Sequence, residues 1–505
     1  MASEWFERKI VYLSDINNEN DLKDELEAID IKLKSLTSLE LKNVASNLDY
    51  SRLFCQLTSN YESKEIPDRV CSICITLFSA LEPGEIYQRH PAELMEHLSH
   101  QESSVKNLIL TELKKIATEN PSKLIADTNL LNIIVQRIGD EDIGVAKLAM
   151  DVIKKVGSKV AGAKALYSGT LLRTIAKLVS RNDEISFRVY EVIVDIAKSS
   201  KECLDASISS GLLDSLINIL ESDDVLLQLN ALEALTDLAT YDEGLNYLEQ
   251  RGILNNLNKK ISNPDENVLS NLLIPGLMKF FGSVAKSRPD EIFAKYPNVV
   301  YSLFELIETT DDMVLLMNAL DTLGYVASTI DGKYALQNLG KPMESAMNKI
   351  SVIIHKMPTE VRLRGLENLS LILHVDQSKQ NNRISSLVKS WFGCLGDDPM
   401  KTIVELCKQP FPDIKQASLK VLLEIASHPW GQHYIGTYPG LIEFLLNRNS
   451  EAFKECKEVK YEIIKCLVGS DSLDSATMQQ IQKFISEGPF HVDSEMDVAV
   501  EGNAS

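Results

Sequence analysis

The sequence predicts an all-α protein built as a solenoid, a stack of similar helical units forming one repeat domain. Three observations predict it. The first is the stretch from Gly211 to Tyr247, GLLDSLINILESDDVLLQLNALEALTDLATYDEGLNY, which holds two helix-length apolar patterns separated by Ser222-Asp223-Asp224. Ser and Asp are good helix N-caps. In the second pattern Ala231, Leu232, Leu235, Leu238 and Ala239 fall at helical spacing, with Asn230, Glu233, Thr236 and Asp237 on the other side. One such hairpin cannot bury its apolar side alone, so it needs copies.

The copies are the second observation. The aliphatic–small pair Leu238-Ala239 recurs as Ile116-Ala117, Val156-Gly157, Ile196-Ala197, Val284-Ala285, Val326-Ala327, less cleanly Leu369-Ser370, and Ile425-Ala426. Subtracting successive small-residue numbers gives steps of 40, 40, 42, 46, 42, 43 and 56. A period of about 40 to 47 residues is that of HEAT and armadillo repeats, so the expected fold is a curved HEAT/armadillo-like α-solenoid. The third observation is size and composition. A chain of 505 residues is too long for one ordinary core, a limit that solenoids escape because each unit touches only its neighbours. Aromatics are only 6% of residues, so Leu, Ile and Val must fill the interior.

Taken in order, residues 1–50 read as an N-terminal helical cap, with Leu22, Leu26, Ile29, Ile31 and Leu33 in one helix and Leu39, Leu41 and Val44 in the next. Residues 51–470 read as the repeats, helix pairs running from Leu53 to Leu81 and Ala92 to Ala117, then a regular middle from Leu130 to Ser328. Pro275-Gly276 falls in the second helix of the 252–285 unit and is expected to bend or shorten it. Beyond Leu373 the pattern loosens. HVDQSKQNNR (374–383) reads as a loop and KQPFPDIKQ (408–416) as an inter-helix corner, with pairs following at Ile414 to Ala426, Leu441 to Leu446 and Val459 to Val468. Residues 471–492 carry a C-terminal capping helix and turn, and 493–505, acidic and rich in small residues, an expected disordered tail.

Composition narrows function. No apolar run reaches about 18 residues, and MASEWFERKI lacks the apolar core of a signal peptide, so a cytosolic protein with no membrane span is expected, nuclear access being left open. The net charge of −20 argues against nucleic acid as the main ligand and favours a partner with basic patches. Gly-rich phosphate loops and nucleophile elbows are absent, and the eight His assemble no triad, so no enzyme and no cofactor are expected. Cys71-Ser72-Ile73-Cys74 has metal or redox spacing but lies inside VCSICITLF without a second pair, so helix packing is expected there. Glu93, Glu96, His97 and His100 lack the HExxH order and read as a solvated face. His374 and His428 read as helix-end residues.

A positional argument gives binding candidates. In solenoids the last helix of each unit usually lines the concave wall. The residues just before the aliphatic–small pairs are Lys115, Lys155, Asp195, Asp237, Ser283, Tyr325, Asn368 and Glu424. One turn earlier stand Thr111, Asp151, Glu191, Glu233, Lys279, Asp321, Arg364 and Lys420. Residues i and i+4 share a helix face, so both rows should point outward together. Each alone reads equally well as a solvated helix face, but Glu191, Asp195, Glu233 and Asp237 cluster in adjacent repeats. With Asp321 and Tyr325 they are the candidate partner-binding residues; no catalytic, metal-binding or cofactor-binding residue is expected.

The repeats carry a family resemblance in FRVYEVIVDIA (187–197), IPGLMKFFGSVA (274–285), QASLKVLLEIASHPWGQ (416–432), YPGLIEFLLNRN (438–449), KYEIIK (460–465) and ISEGPFHV (485–492). The Pro-Gly interruption, the HPWGQ corner and the terminal SEGPF in this order are the specific part. The chain resembles the proteasome base assembly chaperones, the family of 26S proteasome non-ATPase regulatory subunit 5, over essentially its whole length and least distinctly in the first 50 residues. The resemblance implies a non-catalytic chaperone of the regulatory particle base. Such a protein binds the C-terminal domain of one proteasomal ATPase subunit, in an intermediate with a second ATPase and a large non-ATPase base subunit, and leaves before the particle matures. By itself it is expected to be a monomer. The family has no short catalytic motif, so the resemblance transfers no site residue. Two rival readings are a transport adaptor with armadillo repeats, disfavoured by three Trp and a single Asn in the matching row, and a HEAT-repeat scaffold for another complex.

Overall fold

Asp224 stands where the sequence places a cap. Its carboxylate accepts from the backbone N–H of Leu226 (2.8 Å) and Leu227 (3.2 Å) and starts helix Val225–Ala239. The same device recurs at Asp142, Asn182 and Asp312, before helices Ile143–Gly157, Asp183–Ala197 and Met313–Ala327. Each of these helices has 15 residues, as do Thr359–Leu373 and Pro412–Ala426, giving rods of about 22 Å. Along Val225–Ala239 the apolar stripe is turned inward, and Leu235 and Leu238 are completely buried.

The structure is a computed structural model describing residues 2–16, 18–58, 61, 64–262 and 272–491; the 493–505 tail lies outside the described residues. All regular elements among the described residues are helices, which is the all-α solenoid class. The chain forms two units, Met1–Tyr247 and Leu248–Ser505. In the first, Ser103–Glu119, Ile143–Gly157, Asp183–Ala197 and Val225–Ala239 pack side by side as one layer. In the second, Ile274–Ser287, Met313–Ala327, Thr359–Leu373, Pro412–Ala426 and Lys454–Cys466 do the same.

The expected helix pair is a triplet. Between one long helix and the next come a short helix and a middle one, as in Val160–Leu166 then Gly169–Val179, or Ile330–Leu339 then Lys341–Lys356. Three helices per unit is the armadillo form of the period. The short helix escapes notice because it turns back tightly on the long one. A Cβ on Gly332 would lie 2.0 Å from the Val326 carbonyl oxygen, and one on Gly431 would lie 1.9 Å from that of Ile425. Only glycine permits this approach. Gly162 and Gly244 sit in the same relation to Val156 and Leu238, so the glycine falls six residues after the aliphatic member of the pair in four repeats.

Side chains of the short helices then satisfy carbonyls that the long helices leave open. Lys333, fully buried, donates to Ala327 O of its own repeat and to Leu371 O (3.2 Å) and Ile372 O (2.7 Å) of the next. Gln432 does the same one repeat pair later, to Ala426 O (3.2 Å) and Cys466 O (2.9 Å). His428, itself buried, contacts Leu373 O at 2.9 Å through Nε2.

Other expectations are corrected. Ile31 and Leu39 are 62% and 72% exposed: helix Glu19–Lys34 buries Leu22, Leu26, Ile29 and Leu33, and Ile31 lies on the opposite side of that stripe. A helix missed in the sequence, Ala2–Leu13, precedes it. Pro275 lies in the first turn of Ile274–Ser287 and opens that helix, where its missing N–H costs nothing, so it does not bend one. Leu369-Ser370 falls a turn before the end of Thr359–Leu373, so the repeat mark there sits early. Cys71 and Cys74, by contrast, pack on the buried side of helix Glu65–Phe78 as expected, and burial pushes the Cys71 thiol up to about 12.

Leu238→Ala should cost about 2–5 kcal/mol in a denaturant melt, because it removes a buried side chain from a packed layer. Gly332→Ala should also destabilise, by about 1–3 kcal/mol, since the backbone must move to admit one methyl group. A change under about 0.5 kcal/mol in either variant would show that the corner is looser than described.

Candidate protein-binding surface

The layer of long helices in the first unit presents both sequence rows on its outer side. Glu191, Glu233 and Asp237 are exposed and Asp195 is half-buried. These residues do not form a bare acidic patch. Lys154 of the preceding long helix reaches Glu191 (2.6 Å) and Asp195 (2.5 Å), Lys198 pairs with Asp237, and one repeat earlier Lys114 pairs with Asp151 at 2.5 Å. Each rung joins a lysine of one repeat to a carboxylate of the next. Rungs this exposed contribute about 0–1 kcal/mol each. The rows therefore act as stitching and as surface at once, and carboxylates outnumber cations only around Asp183–Ala197 and Val225–Ala239.

Between Asp183–Ala197 and Val225–Ala239 runs a groove of about 660 Å³ that brings together Glu191, Glu233 and Asp237 of the candidate set. Among the residues it adds that the sequence reading missed are Asp183 and Phe187. Phe187 was within reach: continuing the row from Asp195 and Glu191 one more turn toward the N-terminus arrives at it.

In the second unit, Asp321 and Tyr325 line a groove of about 340 Å³ with Lys279, Ser283 and Asn318, between Ile274–Ser287 and Met313–Ala327. Lys286 Nζ stands 3.9 Å from the centre of the Tyr325 ring, a cation–π contact. Asp321 accepts from Asn368 Nδ2 at 2.8 Å and faces Arg364 at 3.7 Å. Asn368 departs from its row: it is 2% exposed, and its amide ties Asp321 to the Arg364 carbonyl. Gly324 makes room for it, since a Cβ there would meet Asn368 Oδ1 at 2.0 Å.

His97, expected on a solvated face, is 2% exposed and packs 5.5 Å from the Phe54 ring; burial pulls its imidazole below the ordinary value. Helix Pro91–His97 has only seven residues, too few for periodicity to assign its faces. His374 does sit at a helix end, and its Nδ1 meets Glu424 Oε2 at 2.8 Å across adjacent long helices.

Comparison with known proteins adds identity to this geometry. The sequence matches the model of a family described as proteasome non-ATPase 26S subunit over residues 3–504. It is 32% identical over 487 residues to 26S proteasome non-ATPase regulatory subunit 5 of Homo sapiens, covering 95% of this chain and 96% of that one. The Bos taurus protein of the same name is 32% identical over 486 residues, with the same coverage. That of Drosophila melanogaster is 28% identical over 419 residues, 81% of each chain.

The His374–Glu424 rung gives a pH test. The hydrogen bond to Glu424 outweighs burial and raises the His374 pKa. The protonated pair therefore contributes its full stability below about pH 6.5, the ordinary histidine value, and loses it as pH rises through the folded pKa. An NMR titration should place His374 above the ordinary value, and Glu424→Gln should bring it down. Titration of wild-type His374 at or below the ordinary value would refute the rung.

Proposed function

The chain belongs to the proteasome non-ATPase 26S subunit family, and from that premise we propose that it is a non-catalytic assembly chaperone of the 26S proteasome regulatory particle base. It binds the C-terminal domain of one ATPase ring subunit, in a cytosolic or nuclear intermediate that also holds a second ATPase and a large non-ATPase base subunit. It acts as a monomer and departs before the mature particle forms.

The observation that carries this reading is the layer of side-by-side long helices in the first unit, with carboxylates in excess around the groove between Asp183–Ala197 and Val225–Ala239. Such a wall offers a small folded domain many shallow contacts. Opposite charge speeds encounter and fixes orientation more than it adds affinity. Release needs no chemistry if the wall covers a surface of the ATPase that a later subunit must occupy. The second unit supports the reading with different means, the aromatic and mixed-charge groove around Tyr325 and Asp321.

The test is Glu233→Lys with Asp237→Lys. Asp205→Lys, exposed on the short helix Lys201–Ser209, is the control. The double variant should bind recombinant ATPase C-terminal domain more slowly and weakly while still melting cooperatively, since exposed contacts such as the Lys198 rung contribute about 0–1 kcal/mol each. Wild-type association should itself slow with added salt, since charges are screened over about 8 Å at physiological ionic strength. Unchanged binding by the double variant would remove the wall from the site. Failure of the wild type to capture any proteasomal ATPase domain would overturn the function.

A further inference from the structure

The groove between Asp183–Ala197 and Val225–Ala239 has a floor and a rim of different chemistry. Its floor is apolar, made by Phe187, Val194 and Ala234. Its rim carries Asp183, Glu184, Glu191, Glu233 and Asp237. One cation lines it, Arg188, whose guanidinium is engaged with the carbonyls of Ile138 (3.3 Å) and Asp140 (2.9 Å) and with Glu184. Lys154 takes Glu191 together with Asp195, and Lys198 takes Asp237, so that these three cations stand among six carboxylates.

The aromatic floor is the informative part. Several other rings of this chain are covered by one of its own cations. Lys286 stands 3.9 Å from the Tyr325 centroid, Arg383 4.1 Å from that of Tyr334 and Arg448 3.9 Å from that of Phe484. Among the described residues no lysine or arginine is placed over Phe187, whose aromatic neighbour is Tyr190, edge-on at 5.8 Å. An aromatic face is negative and so is the rim, so both select a cation and repel phosphate or anionic lipid.

We propose that this groove anchors an arginine side chain projecting from the partner protein, stacked on Phe187 with its N–H groups directed to the rim carboxylates. Arginine fits better than lysine because its guanidinium is planar, stacks on rings and carries its donors in a fixed fork. The inference rests on the reading that the partner docks on the long-helix wall, and it names the chemistry of that contact.

The experiment uses the full chain in wild-type, Phe187→Leu and Phe187→Tyr forms. Two probes are applied: recombinant C-terminal domains of the proteasomal ATPases, and a fluorescent peptide of alternating Gly and Arg with a counterpart carrying neutral citrulline. Phe187→Leu should weaken binding of both the domain and the Arg peptide about 5- to 30-fold, while Phe187→Tyr, which keeps the ring, should bind like wild type. The citrulline peptide should not compete. Thermal melts of both variants establish that they are folded, and the Tyr variant keeps the result readable if Leu disturbs packing. If the ATPase domain binds Phe187→Leu as tightly as wild type, the anchor is wrong and the proposed function stands. If no ATPase domain binds but the Arg peptide binds through Phe187, the anchor stands and the proposed partner fails. If wild type prefers neither the Arg peptide over its citrulline form nor any ATPase domain, the anchor is overturned.

Discussion

An α-helix ends with four carbonyls that its own backbone cannot satisfy, and in a stack of helices those ends are buried in corners where water is scarce. Much of this chain follows from how the corners are closed. At Val326 and Ile425 the following short helix folds back so closely that a methyl group on Gly332 or Gly431 would overlap a carbonyl oxygen. The next residue of each short helix, Lys333 or Gln432, then donates to the ends of two successive long helices. For Lys333 this means a fully buried amine, and burial pulls its pKa down to about 7. Each such corner ties together the C-terminal ends of two successive long helices. The side-by-side layer is the result.

Once the long helices lie side by side, their outer rows come within reach of one another. Lys154 can then hold two carboxylates of the next repeat, and His374 can meet Glu424. These exposed contacts add little to stability, which resides in the buried leucines beneath them. That division matters for function. A surface contributing little to folding can be shaped for a partner, and altered for another, without endangering the fold.

The two units present different chemistry on the same kind of layer. In the first, carboxylates outnumber cations around an aromatic floor. In the second, the Tyr325 ring carries Lys286 and the charges around Asp321 are mixed.

The helices, their period and their buried sides were legible in the sequence because each depends on residues a turn or two apart. Leu235 and Leu238 are core, Asp224 is a cap, and the outward rows of Glu191, Glu233 and Asp237 are outward. What needed the tertiary structure is everything set between repeats. The short third helix was hidden because its mark is one glycine whose meaning is a close approach, not a periodicity. Asn368 is buried because Gly324 of the neighbouring helix yields space to it. The acidic rows are partly neutralised because lysines about 40 residues earlier face them. A local pattern assigns the side of a helix to which a residue belongs. Which residue lies opposite is settled by the angle and spacing of whole helices, and those follow from packing across distances that no local pattern records.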